Sequence, residues 1–161
     1  MAEIHYRGMK PGEEPTVSTL ILAAFDEYIA HEYSPEGVAE FRRYVAVEAL
    51  RERVEKGNLV WVAATGDGVA GMIEIREHNH VALLFVNKAY QRKGIARGLL
   101  DQGLAAARAH EPSLERVTVN STTYGVPAYE RLGFRQTGPE RTVNNITFIP
   151  MAMKFSSTGS V

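Results

Sequence analysis

The sequence predicts a mixed α/β fold: a central mixed sheet with helices on both faces. Three observations predict it. In the first third, apolar residues recur at three- and four-residue steps, which is the helical period. From Leu59 onward the pattern changes to short apolar runs separated by turn residues, which is the signature of strands. One such run, Val81-Ala82-Leu83-Leu84-Phe85-Val86, is apolar on both faces and belongs inside a covered sheet.

The elements follow in order. Ile4 to Arg7 suits a short first strand, and Pro11-Gly12-Glu13-Glu14-Pro15 a loop whose last proline fits the first turn of a helix. Val17, Leu20, Ile21, Ala24, Phe25, Tyr28 and Ile29 mark one face of that helix, which runs to Ala30. Ser34-Pro35-Glu36 starts a second helix with a capping serine and a proline at the first helical position. Phe41, Tyr44, Val45, Ala49 and Leu50 continue its apolar face to Lys56-Gly57. Leu59 to Ala64 and Val69 to Ile75 read as two strands joined by the turn Gly66-Asp67-Gly68. Glu77-His78-Asn79 is the next turn and 81–86 the next strand. A helix runs from Gly94 to about Ala109, and Arg116 to Asn120 is a strand. A helical crossover joins this strand to 81–86, so the two pair parallel. A short helix spans Val126 to Leu132 and stops at Gly133. Two strands, roughly Phe134–Gly138 and Asn145–Lys154, close the chain, and Pro150 in the second implies a bulge or an edge.

The bulk numbers exclude several classes. The chain has 161 residues, enough for one domain with a sizeable core, expected over residues 1–155 with a flexible tail at 156–161. A net charge of −1 argues against a dedicated nucleic-acid binder. There is no cysteine, hence no disulfide, no thiol nucleophile and no cysteine-held metal. No signal peptide or membrane-length apolar run is present, so no membrane partner is expected and the expected location is the cytoplasm.

The chemistry concentrates at Gln91-Arg92-Lys93-Gly94-Ile95-Ala96. A strand precedes this turn and a helix follows it. Backbone N–H groups at a helix N-terminus lack intrahelical acceptors and point outward with the positive end of the dipole. Glycine allows close backbone approach, and Arg92, Lys93 and Arg97 add positive charge. That is a recipe for holding a phosphate. A charged turn capping an amphipathic helix is the competing reading. The turn is not a dinucleotide fingerprint, because three spaced glycines are missing, nor a nucleotide-triphosphate loop, because no Gly-Lys-Ser/Thr closes it.

Together with Ala128-Tyr129-Glu130-Arg131-Leu132-Gly133-Phe134 and the strand end Val119-Asn120-Ser121, this turn resembles the GCN5-related N-acetyltransferase (GNAT) family. The family's loop reads Gln/Arg-x-x-Gly-x-Gly/Ala, and its late helix commonly ends in Tyr-Glu-x-x-Gly-Phe. The resemblance covers about Leu59 to Phe155, with Ala96 in place of a second glycine. It implies acetyl-CoA as the acyl donor, no metal, and direct attack by a primary amine of a small molecule or a peptide. The backbone of Arg92 to Ala96, with Gln91 before it and Arg97 behind, would hold the pyrophosphate. The strand Leu84-Phe85-Val86 would splay from the strand at 117–120 and bond the pantetheine arm as an added strand would. A backbone N–H near Phe85 or Val86 would polarise the thioester carbonyl. A homodimer is also in keeping with the family. A non-catalytic acyl-CoA sensor on the same fold is the alternative, and Tyr129 argues against it.

Tyr129 matches the family's tyrosine facing the cofactor sulfur. A phenol of pKa about 10 can give a proton to a thiolate whose parent pKa is near 8.5. The competing role is a buried aromatic that pins the short helix. Glu74 shares a strand face with Met72 and Arg76 and is the candidate base; a solvated carboxylate on a half-exposed strand is the competing role. Asn120 is a candidate for bonding the cofactor or a catalytic water, or else a local turn residue. His78-Asn79-His80 alternates as metal ligands do, but a polar hairpin turn is the preferred reading. Phe25, Tyr28, His31, Tyr33 and Phe41 are either core or an aromatic acceptor pocket.

Overall fold

The computed structural model describes residues 3–66 and 68–155. The proposed tail at 156–161 and Asp67 of the first turn lie outside the described residues. Strand β1 is His5–Gly8, and helix α1 is Glu14–Tyr28 with Pro15 in its first turn. A single 3₁₀ turn at Ala30–Glu32 leads to α2, Pro35–Tyr44, and α3, Val47–Glu55. Then come β2 (Leu59–Ala64), β3 (Val69–Arg76) and β4 (His80–Val86), α4 (Ile95–His110), β5 (Arg116–Ser121) and α5 (Val126–Leu132). Strands β6 (Arg135–Gln136), β7 (Arg141–Val143) and β8 (Ile146–Lys154) end the fold.

The sheet order is β1-β2-β3-β4-β5-β8-β6, with β7 also on β8. Every pair is antiparallel except β4 with β5. The parallel pair is short: its register covers only His80 with Thr118 and Val81 with Val119. Beyond Val81 the two strands diverge, and the β5-facing edge of β4 from Leu83 to Val86 has no strand beside it. A register shift between Glu74 and Ile75, which leaves Ala82 without a partner on β3, begins the divergence.

The sheet separates two cores. Ile73, Ile75, Val81, Leu99, Leu100, Val117, Val119 and Phe134 pack under α4 and α5. Val17, Ile21, Phe25, Leu50, Val62, Met72 and Leu83 pack under α1 to α3. Alternate residues of one strand therefore serve opposite layers, as the two-residue period requires.

Three expectations need correction. The segment 34–57 is two helices, not one. Ala46 is extended (φ −59, ψ 150) and caps α3, and the buried Ser18 hydroxyl donates to the Val45 carbonyl at 2.8 Å. The break lets Val45 and Leu50 both enter the core. The C-terminal end holds three strands rather than two. Asn144 and Asn145, with φ of 52 and 67, form the β7–β8 turn, a left-handed pair that asparagine tolerates. Pro150 is neither at an edge nor at a registered bulge. Its carbonyl accepts from Thr137 N at 2.9 Å, and on that same side its missing N–H falls in the gap between β6 and β7.

Among the described residues no helix is long and apolar enough to cross a membrane.

Candidate active site

The divergence of β4 and β5 opens a cavity of about 1020 Å³ that passes between the two layers. One wall comes from the end of β4, the turn 91–97 and α5. The other comes from α1, α2 and the β7–β8 hairpin.

The turn is built from the backbone upward. Arg92 has φ 64 and Gly94 φ 78, so two left-handed residues flank Lys93. Alternation of this kind turns successive N–H groups toward one point and forms an anion cradle. An added Cβ at Gly94 would meet nothing within 4 Å, so glycine is needed there for its dihedral and not for space. Gly94 caps α4 without a side-chain hydrogen bond, which leaves the first N–H groups of the helix to a ligand. Arg92 has no small side chain to ease its φ, and strain of this kind gathers at functional sites.

Gln91, Arg92, Gly94, Ile95, Ala96 and Arg97 all line the cavity; Lys93 is exposed and does not. Arg97 braces α4 against the C-terminus of α5. Its Nη2 donates to the Arg131 carbonyl at 2.9 Å and its Nη1 to that of Leu132 at 3.3 Å. Arg131 also lines the cavity as an exposed cation, a role the sequence reading missed. Its place in the motif around Tyr129 was the available signal.

Phe85 and Val86 lie on the unpaired edge of β4 and line the cavity. Tyr129 enters the cavity from α5. Its ring packs edge-on against Phe134, with centroids 5.4 Å apart at 79°. Burial pushes its phenol pKa well up, so it stays protonated, and its oxygen has no hydrogen-bond partner among the described residues. Gly133 (φ 111) ends the helix, and Phe134 N donates to the Tyr129 carbonyl at 3.0 Å, which closes the last turn behind the tyrosine.

Glu74 is the departure. It is fully buried under α1 to α3 and does not line the cavity. Arg53 on α3 grips it with two bonds, Nε to Oε2 at 2.7 Å and Nη2 to Oε1 at 3.0 Å, and Asn58 Nδ2 donates to Oε2 at 2.7 Å. Arg53 also donates to the Tyr44 carbonyl at 2.5 Å and lies over the Tyr44 ring at 3.8 Å. A carboxylate held this way is not solvated, and it does not reach the cavity in which an acceptor would bind. Its partners lie 16 and 21 residues away in sequence, so the local pattern carried no sign of them.

His80 occupies the wall instead. Its Nδ1 lies 2.7 Å from Thr118 Oγ1, across the one parallel register. The Thr118 hydroxyl donates to the Asn79 carbonyl at 3.4 Å. The hydroxyl pairs with Nδ1 in either imidazole tautomer, as acceptor when Nδ1 carries the proton and as donor when Nε2 does. Burial first, and the charge of Arg76 second, lower the His80 pKa to about 4. Asn120, two residues along β5 from Thr118, shares its face, lines the cavity and has no partner for its amide among the described residues.

The aromatic set divides. Tyr28, Tyr33 and Phe41 line the cavity; Phe25 is core and His31 is exposed outside it. His78 stacks on His110 with centroids 5.1 Å apart, and among the described residues no group of three or more His, Asp or Glu is placed to hold a metal.

An anion cradle, an open strand edge and a protonated phenol around one cavity define an acyltransferase that takes its acyl group from a coenzyme A thioester. A family profile described as Acetyltransferase (GNAT) domain matches residues 29–155. The chain belongs to the GNAT acetyltransferase family. It is 26% identical over 141 residues to the uncharacterised N-acetyltransferase YafP of Escherichia coli K12, covering 88% of this chain and 87% of the relative. Two solved structures share the fold. A GCN5-related N-acetyltransferase from Rhodopseudomonas palustris superposes with a TM-score of 0.81 at 16% identity, covering 96% and 98% of the two chains. The PaiA N-acetyltransferase of Thermoplasma acidophilum, solved with coenzyme A, gives 0.78 at 18% identity, covering 95% and 99%.

Proposed function

We propose that the chain transfers an acetyl group from acetyl-CoA to a small-molecule primary amine, with Tyr129 as acid and His80 as proton acceptor. The observation that carries the reading is the free phenol of Tyr129 in the wall between the turn 91–97 and the open edge of β4.

The donor supplies an activated acetyl thioester. The N–H groups at Arg92 to Arg97 hold its pyrophosphate, and the open edge of β4 at Phe85 and Val86 bonds its pantetheine arm as a further strand would. The amine attacks directly: a C–N bond forms, the C–S bond breaks, the amine loses one proton and the thiolate gains one. Tyr129 supplies the second proton, and its raised pKa keeps it loaded at neutral pH. His80 Nε2 accepts the first, in the tautomer whose Nδ1–H donates to Thr118 Oγ1. Asn120 bonds the amine or a water beside it.

Thiol release from acetyl-CoA in the presence of primary amines tests the reaction. Tyr129→Phe should lower kcat by about a hundredfold or more, the usual weight of a general acid, with coenzyme A affinity kept. Unchanged turnover in that variant would remove the acid role. His80→Gln should lower kcat at least tenfold, while coenzyme A affinity and the fold are retained.

A further inference from the structure

The acceptor wall is a different surface from the donor wall, and it is rich in rings. Tyr28 from the end of α1, Tyr33 from the segment before α2, Phe41 and Tyr44 from α2, and Ile146 and Phe148 from β8 face one volume. The rings are held in place. Phe25, fully buried, stacks on Phe41 with centroids 4.2 Å apart at 15° and meets Tyr33 edge-on at 5.2 Å. Phe41 in turn reaches Phe85 of β4 at 6.2 Å, which joins the acceptor wall to the donor strand. Tyr28 stacks across the cavity on Tyr124 of the β5–α5 loop, 5.1 Å apart at 14°.

The charges are as informative. Among the described residues lining the cavity, Glu40 is the one carboxylate, and Arg43 Nη2 already donates to it at 2.7 Å. Arg76 stands beside His80 on the same wall, close enough to lower the histidine pKa. A ligand with several ammonium groups would set its further charges against rings and a guanidinium with only Glu40, already paired, to meet them, and an unpaired desolvated charge is costly. One ammonium is different. Ring faces attract a single cation, and that one nitrogen sheds its charge to become the free amine before it attacks.

We infer that the acceptor is a primary amine with one basic nitrogen on an aromatic or branched apolar body, and that polycationic amines are rejected. This inference rests on the transferase reading above, and it goes further by naming the acceptor class. The rings grip the body, the amine reaches past Phe41 and Phe85 to the open edge of β4, and the lack of a free carboxylate sets the selectivity.

The test is a rate comparison with acetyl-CoA held constant. 2-Phenylethylamine and isoamylamine are set against spermidine and kanamycin, with thiol release as readout. We expect kcat/KM for 2-phenylethylamine to exceed that for spermidine by about tenfold or more, the discrimination expected when a site leaves polar groups unpaired. Spermidine or kanamycin reacting as fast or faster overturns the acceptor inference and leaves the transferase reading standing. No thiol release with any of the four amines, while acetyl-CoA still raises the melting temperature, overturns both. Ile146→Glu, half-buried on β8, places a carboxylate in the ring wall. It should lower the 2-phenylethylamine to spermidine ratio by about tenfold, with acetyl-CoA still raising the melting temperature of the variant. An unchanged ratio in a variant that passes that check overturns the placement of the acceptor body. If the variant fails to fold, the wild-type comparison alone decides.

Discussion

The two walls of the cavity are made of different material. The donor wall, as proposed, works through main chain: the left-handed pair Arg92 and Gly94, the open N-terminus of α4 and the unpaired edge of β4. The acceptor wall, as proposed, works through side chains carried by α1 and α2 and, more than a hundred residues later, by β8. Main-chain recognition suits a partner that never changes, because few sequences produce those dihedrals and that edge. Side-chain recognition can be altered one residue at a time without touching the first. Each wall should therefore fail alone when its own support is removed.

The largest effect should come from the brace behind the acceptor wall. Glu74→Gln leaves the Arg53 guanidinium, itself mostly buried, beside a neutral partner. Loss of one member of a buried ion pair costs about 3 kcal/mol or more. Because Arg53 also holds the Tyr44 carbonyl and lies on the Tyr44 ring, the loss reaches the acceptor wall directly. Urea denaturation should show the reduced stability. Below the melting temperature, coenzyme A affinity and the pH profile of kcat should match the wild type. A lost acid limb in that profile would instead restore Glu74 as a base.

The same division explains what could be read from sequence. Gly94 and Gly133 were legible because a φ of 78 or 111 restricts the residue type at a fixed place. The apolar run of β4 was legible because both of its faces are covered. The left-handed Arg92 left no trace, since arginine is not chosen for that dihedral. The β7–β8 hairpin did leave one, Asn144-Asn145 between alternating residues, but the strand expected from Asn145 leaves 141–143 without an element. The helix break at Val45–Ala46 depends on Ser18, 27 residues earlier, and the pairings of Glu74 with Arg53 and of His80 with Thr118 cross 21 and 38 residues. Contacts between distant elements decide those features, and periodicity does not record them.

Two glycines sharpen the contrast. Gly94→Ala keeps open space around the new Cβ but forces alanine into the left-handed region, at about 1–2 kcal/mol. Coenzyme A affinity should fall about tenfold by titration calorimetry, with amine KM little changed. At Gly37 on α2 the cause is reversed. Its φ is ordinary, but an added Cβ would lie 2.5 Å from the Asn145 carbonyl oxygen at the β7–β8 turn. The hairpin tip must move, and it carries Ile146 and Phe148. Gly37→Ala should raise amine KM several-fold and leave coenzyme A affinity alone. A change in both constants for either variant would mean that the walls are coupled.

The last contrast is a pH dependence that separates the cavity wall from the outer edge of the sheet. His80 has a folded pKa of about 4, below the usual value of 6.5, because it is buried and lies near Arg76. Above pH 6.5 neither state carries the extra proton, and its contribution to stability is fully present. As pH falls from 6.5 toward 4 the unfolded chain takes up a proton that the folded one refuses, so stability declines. Below about 4 that decline ends. Glu13 acts in a lower window. The hydrogen bond from Arg7 holds its pKa at about 2 against a usual 4.5, so its contribution is present above 4.5 and is lost as pH drops toward 2. Melting temperatures of wild type and His80→Gln should therefore converge between pH 6.5 and 4.5, with the wild type losing more. Glu13→Gln should differ from wild type at pH 6 and approach it only below pH 4. Parallel curves for wild type and His80→Gln would mean that His80 titrates as an ordinary exposed imidazole, and the neutral acceptor assigned to it would have to be abandoned.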